Sequence, residues 1–305
     1  MREFKEDEVM VYRMEDAIRD IKDTLLAQNN EEIVNRKQVI MSAGKNTMIM
    51  NFPALHIKKG YSNTKIMSIN DGISKAHSIL TDINTGEVVA SIAASYLTEL
   101  RTGAMSAIAT DLLSRKGAST LGIIGTGRMA LEQAVGVITV RNIEKVILFN
   151  RHKDKAESFK IKLEDTGYKG DIEIVEDVNT LTKQSDIINT ATPATEAVFN
   201  DEYVKRGAHI NGIGSFMPST KEMNTDTIAR AKYVLVDYKN GVEKSAGEFI
   251  TAEKEGKFKF EDMIQLNEAL NQDFTREDEN ITIFKSVGTS LYDMAVAIGA
   301  YEMLK

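Results

Sequence analysis

The sequence predicts an α/β protein with a Rossmann-type doubly wound parallel sheet and a second, split α+β domain. From about residue 117 onward, short apolar runs alternate with helical segments, which is typical of a parallel sheet covered by helices on both faces. One of these runs leads into a glycine-rich turn at residues 125–127. The first third instead combines a helix with hairpin-like strands, and 305 residues are enough for two domains of ordinary size.

The N-terminal third begins with a predicted helix. Apolar residues recur at helical spacing over about residues 14–28, as expected for an amphipathic helix. A second helix is expected over residues 95–115, where small side chains permit close packing. The turn at residues 82–86 predicts a hairpin, and the strand-like runs are residues 47–52, 65–69, 77–81 and 87–91.

The rest of the chain predicts the parallel sheet and a return to the first domain. The expected strands are residues 120–124, 145–149, 172–175, 186–190, 208–211 and 233–237. A last strand and turn at 281–288 precede a final helix at 291–304. We expect residues 1–116 and 281–305 to form one discontinuous domain and residues 117–280 to form the other. Residues 251–279 are charged and poorly periodic, and the sequence assigns them no role.

Composition excludes several classes of protein. The formal net charge of −7 is spread along the chain, so no basic face for nucleic acid is expected. Cysteine is absent, which excludes disulfides and thiolate metal sites, and none of the four histidines is paired at ligand spacing. Because the first residues lack an apolar signal-peptide core and no apolar run has membrane-spanning length, we expect a cytoplasmic protein without a membrane partner.

The turn after the first strand of the sheet predicts a dinucleotide site. Gly125 permits a tight turn, Gly127 lets the backbone approach a pyrophosphate, and Ala130 keeps the following helix near the strand. The helix N-terminus offers free N–H groups to the phosphates. The strand, turn, helix and second strand occur in the required order within about 30 residues, which favours a nicotinamide or flavin dinucleotide over a purely structural turn.

The end of the second strand favours NADP(H) over NAD(H). Sites for NAD place a carboxylate there to bind the ribose hydroxyls, whereas this chain has Asn150 and Arg151, followed by His152 and Lys153. The Arg151 guanidinium would bind the 2′-phosphate through paired hydrogen bonds. The alternative is a solvated run of charges at the start of a helix.

Three basic residues of the first domain are candidates for the substrate site. They are Arg36, Lys65 and Arg101, and composition alone makes each of them more typical of a surface charge than of a ligand. Arg101 is the strongest candidate, because it lies at the start of an otherwise small and apolar helix.

Several motifs, in order along nearly the whole chain, give it a family resemblance. They are LRTGA at 100–104, IGTG at 124–127, DIINTAT at 186–192, GAHINGIG at 207–214 and IFKSVG at 283–288. With these motifs the chain resembles the family of ornithine cyclodeaminase, mu-crystallin and the archaeal-type alanine dehydrogenases. The resemblance implies a dinucleotide domain and a split domain that binds substrate and forms a homodimer.

The resemblance also implies roles for individual residues. Arg36, Lys65 and Arg101 match family residues that surround the substrate carboxylate, where two guanidinium groups hold it rigidly. Between two arginines, Lys65 is expected to have a lowered pKa and to take or give a proton at the reacting centre. The expected cofactor contacts are Thr102, Gly125, Thr126, Gly127, Arg128, Met129, Asn150, Arg151, Thr190, Ala191, Thr192 and Gly214.

One position departs from the cyclodeaminases. The loop at 212–218 carries an aspartate in those enzymes, and the matching position here is Phe216, with no acid between Asn211 and Lys221. We therefore expect a small-molecule substrate in an apolar side-chain pocket. The favoured function is an NAD(P)(H)-dependent oxidoreductase at the Cα–N bond of an amino acid, by imine reduction or amino-acid dehydrogenation. The alternatives are ornithine cyclodeaminase itself, with bound NAD+, and a non-enzymatic crystallin-like binding protein.

Overall fold

The computed structural model describes residues 1–36, 38–42, 47–71 and 73–305. Across these ranges the chain separates into two compact units. Unit 1 consists of Met1–Ala104 with Thr289–Lys305, and unit 2 of Met105–Gly288. Unit 1 is therefore discontinuous, and both ends of the chain contribute to it.

The elements alternate in type along unit 2 and are mostly strands in unit 1. The strands of the described residues are β1 (Arg2–Phe4), β2 (Ile33–Asn35), β3 (Val39–Ser42), β4 (Thr47–His56), β5 (Tyr61–Asn70), β6 (Ile73–Asp82), β7 (Val88–Ala93), β8 (Thr120–Ile124), β9 (Lys145–Phe149), β10 (Asp171–Ile174), β11 (Ile187–Thr190), β12 (His209–Gly212), β13 (Ala231–Val236), β14 (Met263–Gln265) and β15 (Ile281–Lys285). The α-helices of the same residues are α1 (Glu6–Val9), α2 (Met14–Asn29), α3 (Ser95–Leu113), α4 (Ala130–Val140), α5 (Lys153–Asp165), α6 (Val178–Gln184), α7 (Thr225–Ala229), α8 (Lys239–Ser245), α9 (Gly247–Lys254), α10 (Leu266–Ala269) and α11 (Ser290–Leu304).

Unit 1 is built on a mixed sheet with the strand order β1-β7-β6-β5-β4-β2, and β3 pairs with β4. β1 runs parallel to β7, and the other neighbours are antiparallel. The predicted hairpin between β6 and β7 is confirmed: the Asp82 carboxylate accepts the backbone N–H groups of Asn84 and Thr85, and Gly86 takes a φ of +76°. α11 packs on β4, β5 and β6 and against α2.

Unit 2 is a parallel sheet with the strand order β10-β9-β8-β11-β12-β15-β13-β14. From β8 the sheet grows on one side through β9 to β10, and from β11 it grows on the other side through β12. The direction in which strands are added to the sheet therefore reverses between β8 and β11. At such a point the loops after two neighbouring strands separate and leave a crevice for a ligand. The predicted Rossmann-type sheet is confirmed.

Both faces of this sheet are covered by apolar packing. One buried cluster joins the strands to α4 and α5 through residues such as Val137, Phe159 and Leu163. The cluster on the other face includes Leu181, Phe249 and Ile283. Because each strand is buried on two sides, the strands appear in the sequence as continuous apolar runs.

The structure corrects the predicted position of residues 281–288. β15 pairs with β12 and β13 inside the large sheet, so these residues belong to unit 2 and only Thr289–Lys305 returns to unit 1. An apolar strand next to a terminal helix carries no sign of which sheet it joins. At the other boundary, unit 2 begins at Met105 within α3, not at residue 117. The unassigned segment 251–279 contains the edge strand β14 and α10.

Candidate functional site

The turn after β8 has the geometry of a phosphate-binding turn. Gly125 takes a φ of +90°, and a Cβ there would lie 2.6 Å from Thr192 Cγ2 and 2.8 Å from the Ala191 carbonyl oxygen. A Cβ on Gly127 would meet nothing within 4 Å. The first glycine is thus required by the close approach of the β11 end, and the second leaves open space where a ligand can approach the backbone.

Free backbone donors lie in the same turn. Within the part of the chain that the structure describes, the N–H groups of Thr126 and Gly127 make no hydrogen bond. They precede α4, whose N-terminal dipole adds positive potential, and Met129 is its N-cap. Arg128 is exposed beside them. These groups fit the pyrophosphate of a dinucleotide.

The end of β9 is tied to this turn. The Asn150 side chain donates from Nδ2 to Thr126 Oγ1 over 2.8 Å, and its Oδ1 accepts the His152 backbone N–H at 2.9 Å. Both polar ends of Asn150 are therefore used within the protein. Arg151 is exposed, and among the described residues it forms no ion pair.

A buried carboxylate that the sequence analysis missed organises the end of β11. Glu222 is fully buried and accepts hydrogen bonds from the Thr190 hydroxyl at 2.9 Å and the Thr192 backbone N–H at 2.6 Å. It also accepts the backbone N–H groups of Gly214 at 2.7 Å and Ser215 at 3.2 Å. Burial raises the pKa of Glu222, and the nearby Lys285 ammonium opposes that rise. One carboxylate therefore holds the loops after β11 and β12 together.

Beneath the same loop lies a second buried polar group. Lys285 Nζ lies 3.0 Å from Glu248 Oε1 and donates to Ser215 Oγ over 2.8 Å. Ser215 in turn donates to Glu248 Oε2. Lys285 and Glu248 are both fully buried, so each charge is compensated by the other.

The tip of the loop is apolar and exposed. Phe216 is 57% exposed and Met217 is 47% exposed. Glu222 is the acid nearest in sequence, but its oxygens are turned toward the loop backbone and it has no accessible surface. It cannot take the part of the aspartate that cyclodeaminases carry in this loop.

In unit 1 the structure brings Lys65 and Arg101 together on a third residue, Asp293. Lys65 Nζ lies 2.7 Å from Asp293 Oδ2, and Arg101 Nε donates to Asp293 Oδ1 over 3.2 Å. The Lys65 and Asp293 side chains are each 2% exposed. Lys65 Nζ also lies 4.6 Å from the centre of the Phe52 ring, on the neighbouring strand. The group carries one net positive charge in a buried place.

The pKa of Lys65 is lowered to about 8, as the sequence analysis expected. The main cause is burial, which disfavours the ammonium form, and the Arg101 charge lowers the pKa further. Asp293 acts in the opposite direction. The expected cause was the charge of neighbouring arginines alone, because neither the burial of Lys65 nor its carboxylate partner is visible in the sequence.

The remaining predicted residues of unit 1 are placed differently. Arg36 directly follows β2, is exposed, and forms no ion pair with any residue the structure describes. Arg36 therefore does not share the Asp293 carboxylate with Lys65 and Arg101. Thr102 is buried in α3, and its hydroxyl donates to the Thr98 carbonyl oxygen over 2.7 Å.

Comparison with known proteins shows the family of the chain. The ornithine cyclodeaminase/mu-crystallin family profile matches residues 4–305. The chain belongs to this family. It is similar to a Delta(1)-pyrroline-2-carboxylate reductase of Bacillus cereus, with 40% identity over 230 residues, which cover 73% of this chain and 69% of the relative.

Two solved structures share the whole fold. The Thermococcus litoralis Delta(1)-pyrroline-2-carboxylate reductase in complex with NADH and L-proline has a TM-score of 0.93 and 29% identity, covering 99% of this chain and 97% of the other. An archaeal alanine dehydrogenase dimer with bound NAD has a TM-score of 0.89 and 26% identity, covering 99% and 95%. The chain is accordingly an NAD(P)-dependent, imine-reducing oxidoreductase. Among the described residues, no helix has the length and apolar character needed to cross a membrane.

Proposed function

We propose that this protein reduces a cyclic imine acid, Delta(1)-pyrroline-2-carboxylate, to proline. The observation that carries the proposal is the buried group of Lys65, Asp293 and Arg101, whose net charge is one positive. A monocarboxylate would neutralise this buried charge. The similarity to the Bacillus cereus reductase and to the Thermococcus litoralis complex with L-proline supports this substrate.

Each residue of the proposed site has a distinct part. The terminal nitrogens of Arg101 would bind the substrate carboxylate, with Arg36 as a second guanidinium. The Lys65 ammonium would give its proton to the imine nitrogen. The Phe52 ring beside Lys65 would contact the apolar ring of the substrate. Phe216, at the exposed tip of its loop in unit 2, stays a proposed substrate contact.

The proposed cofactor site lies in unit 2. When bound, a reduced nicotinamide supplies the hydride that reaches the imine carbon. The turn after β8 would hold the pyrophosphate through backbone N–H groups, and Thr192 and Gly214, fixed by Glu222, would line the nicotinamide end. We also keep Thr102, Met129, Thr190 and Ala191 as proposed contacts.

The test is a rate measurement with purified protein. Loss of reduced-nicotinamide absorbance is followed with Delta(1)-pyrroline-2-carboxylate, and separately with pyruvate and ammonia. Arg101→Ala should abolish turnover and leave cofactor binding nearly intact, whereas Lys58→Met should change neither, because Lys58 is 76% exposed on the surface of unit 1. Loss of cofactor binding in Arg101→Ala, with unchanged substrate affinity, would contradict the proposed role.

The alternative functions give different outcomes in the same preparation. Ammonia and proline formed from L-ornithine without consumption of reductant would identify a cyclodeaminase. Tight cofactor binding without turnover on any imine or oxo acid would identify a binding protein.

We further propose a preference for NADP(H) over NAD(H). Arg151 is exposed and directly follows a strand that ends without a carboxylate, and Asn150 is already engaged by Thr126. Arg151→Ala should lower kcat/KM with NADPH by about tenfold, the effect of one lost charge-assisted contact, and leave kcat/KM with NADH unchanged. An equal change with both cofactors, or a wild-type preference for NADH, would exclude this role of Arg151.

We propose that the protein is a homodimer formed through unit 1. Lys65 faces α11, so its neighbour Ile66 lies on the opposite face of the sheet. Met41 and Ile49 pair with each other on that same face. All three apolar side chains are exposed to solvent: Met41 is 51% exposed, Ile49 is 37% exposed and Ile66 is 39% exposed. The dimeric alanine dehydrogenase supports a second copy as the occupant.

Light scattering after size exclusion tests the dimer. Ile66→Glu should yield monomers, and Ile161→Glu, at a residue 60% exposed on α5, should not. A monomeric wild type would exclude the proposal. The cytoplasmic location stays a prediction from the sequence.

A further inference from the structure

The first turn of α11 holds together the cationic site, which consists of Lys65, Arg101 and their shared carboxylate Asp293. Its N-cap is Thr289, and Asp293 is the acidic residue of its first turn. The positive end of the helix dipole favours a carboxylate at this place, even though Asp293 is buried. The two oxygens of Asp293 are divided between Lys65 and Arg101, so neither cation can move without breaking a contact to the helix.

The same turn also fixes the residue before Arg36. Asn35 donates from Nδ2 to Thr289 Oγ1 over 2.7 Å, and its Oδ1 accepts the Ser290 hydroxyl at 2.5 Å. Asn35 pairs with Ala54 in the sheet, so its backbone is held as well. The strand β2 that leads to Arg36 is therefore attached to α11 by two side-chain hydrogen bonds.

Arg101 keeps its terminal nitrogens for a ligand. Only Nε is used by Asp293, and within the described ranges neither Nη atom makes a hydrogen bond. Lys65 likewise has one contact to a carboxylate, which leaves two of its three ammonium hydrogens. Asp293 thus accepts a hydrogen bond from one N–H group of each cation, and the remaining N–H groups of Lys65 and Arg101 are left for a ligand.

We propose that Asp293 is a positioning residue, which fixes the Lys65 ammonium as the proton donor of imine reduction and leaves the terminal nitrogens of Arg101 for the substrate carboxylate. This inference rests on the proposed function. In the step itself, the imine carbon gains a hydride from the reduced nicotinamide and its nitrogen gains the Lys65 proton. The C=N π bond is lost, the cofactor is oxidised, and Lys65 recovers a proton from solvent.

Charge compensation explains why a carboxylate is needed. The charged groups that act on Lys65 are Asp293 from α11 and Arg101 from α3. From the sheet it meets the neutral Phe52 on β4 and Ser78 on β6. Without Asp293, burial and Arg101 would both favour the neutral amine, which cannot donate the proton.

The decisive variant is Asp293→Asn, measured as kcat/KM for imine reduction against pH. We expect the pH at which the rate begins to fall to move down by at least one unit, so that the rate at pH 7 falls by at least about twofold. Asp293→Glu keeps the charge and should lower kcat while leaving that pH within a few tenths of the wild-type value. Unchanged pH dependence in Asp293→Asn, or the same shift in Asp293→Glu, would overturn the proposal.

Asn35→Ala is the matched variant for the other contact of the turn. It should raise KM several-fold through Arg36 and leave the pH dependence of kcat unchanged, because it does not touch Lys65. A shift of the pH dependence in Asn35→Ala would mean that any disturbance of α11 alters Lys65, and would contradict a specific role of Asp293.

A binding measurement separates this inference from the proposed reaction. Pyrrole-2-carboxylate is a planar acid that cannot be reduced at its ring nitrogen, and its Kd can be followed by calorimetry across pH without turnover. Wild-type affinity should decline above about pH 8, and the affinity of Asp293→Asn should decline from a lower pH. If imine substrates are not turned over but this difference is present, the proposed function fails, while the stabilisation of the Lys65 ammonium by Asp293 stands. If both proteins show the same pH dependence, the role of Asp293 fails whether or not Asp293→Asn retains activity.

Discussion

Imine reduction by this protein should slow with rising pH as Lys65 loses its proton. The pKa of Lys65 is lowered to about 8, chiefly by burial. With that pKa, roughly nine-tenths of the Lys65 side chains carry the proton at pH 7 and roughly one-tenth at pH 9. We therefore expect kcat/KM for reduction to fall about tenfold between pH 7 and pH 9, and about tenfold for each further unit.

The assay is the initial rate of reduced-nicotinamide oxidation at low imine concentration. Lys65→Arg is the control, because a guanidinium stays charged throughout this range and any remaining rate should lack the decline. Oxidation of proline in the reverse direction needs the neutral amine, so its rate should rise toward pH 8 and then level off. A constant wild-type kcat/KM between pH 7 and 9, or an identical decline in Lys65→Arg, would refute the reasoning.

Unfolding linked to Lys65 cannot produce this decline. The pKa of Lys65 in the folded protein is about 8, below its ordinary value of 10.5. Between these two values the unfolded chain binds more protons than the folded one, so the contribution of Lys65 to the free energy of unfolding increases with pH. Thermal melting across the same range therefore separates the effect on the reaction from an effect on the fold.

Three further outcomes follow from the structure of unit 2. Gly125→Ala should weaken dinucleotide binding by about tenfold or more in a fluorescence titration, because the φ of +90° and the 2.6 Å contact with Thr192 both disfavour a side chain; Gly117→Ala, where a Cβ meets nothing within 4 Å, should bind as the wild type does. Burial lowers the pKa of His209 to about 3, so the free energy of unfolding should fall by roughly 1 kcal/mol for each pH unit between about 6.5 and about 3; melting that is equally pH-dependent in His209→Gln would contradict this. Glu222→Gln should raise the cofactor Kd about tenfold, since an amide places donors against backbone N–H groups; an unchanged Kd would show that these hydrogen bonds do not support the site.

The fold was largely predictable because periodicity is a local property. The turn at Gly125 and the strands around it could be recognised from the order of apolar runs, and the structure has the same strand at 120–124. Whether residues 281–288 belong to unit 1 or to unit 2 could not be recognised from the sequence. Strand pairing depends on partners distant in sequence, and both candidate sheets accept an apolar strand.

The cationic site was only partly predictable for a similar reason. Lys65 and Arg101 were identified through the family resemblance, whereas Asp293 was missed. One signal was present: Asp293 lies in the first turn of α11 among apolar residues, and a buried carboxylate requires a partner. Glu222 lies one residue beyond the segment searched for an acid, and its burial cannot be inferred from its neighbours in the sequence.

The discontinuity of unit 1 has a consequence for biosynthesis. Residues 105–288 are contiguous, so unit 2 can fold as soon as they have left the ribosome. Unit 1 lacks α11, and with it Asp293, until Thr289–Lys305 has been made. The nascent chain should therefore acquire the dinucleotide turn before the cationic group, and a ribosome-bound chain that stops short of α11 should retain cofactor on a Rossmann unit while Lys65 and Arg101 lack their shared carboxylate.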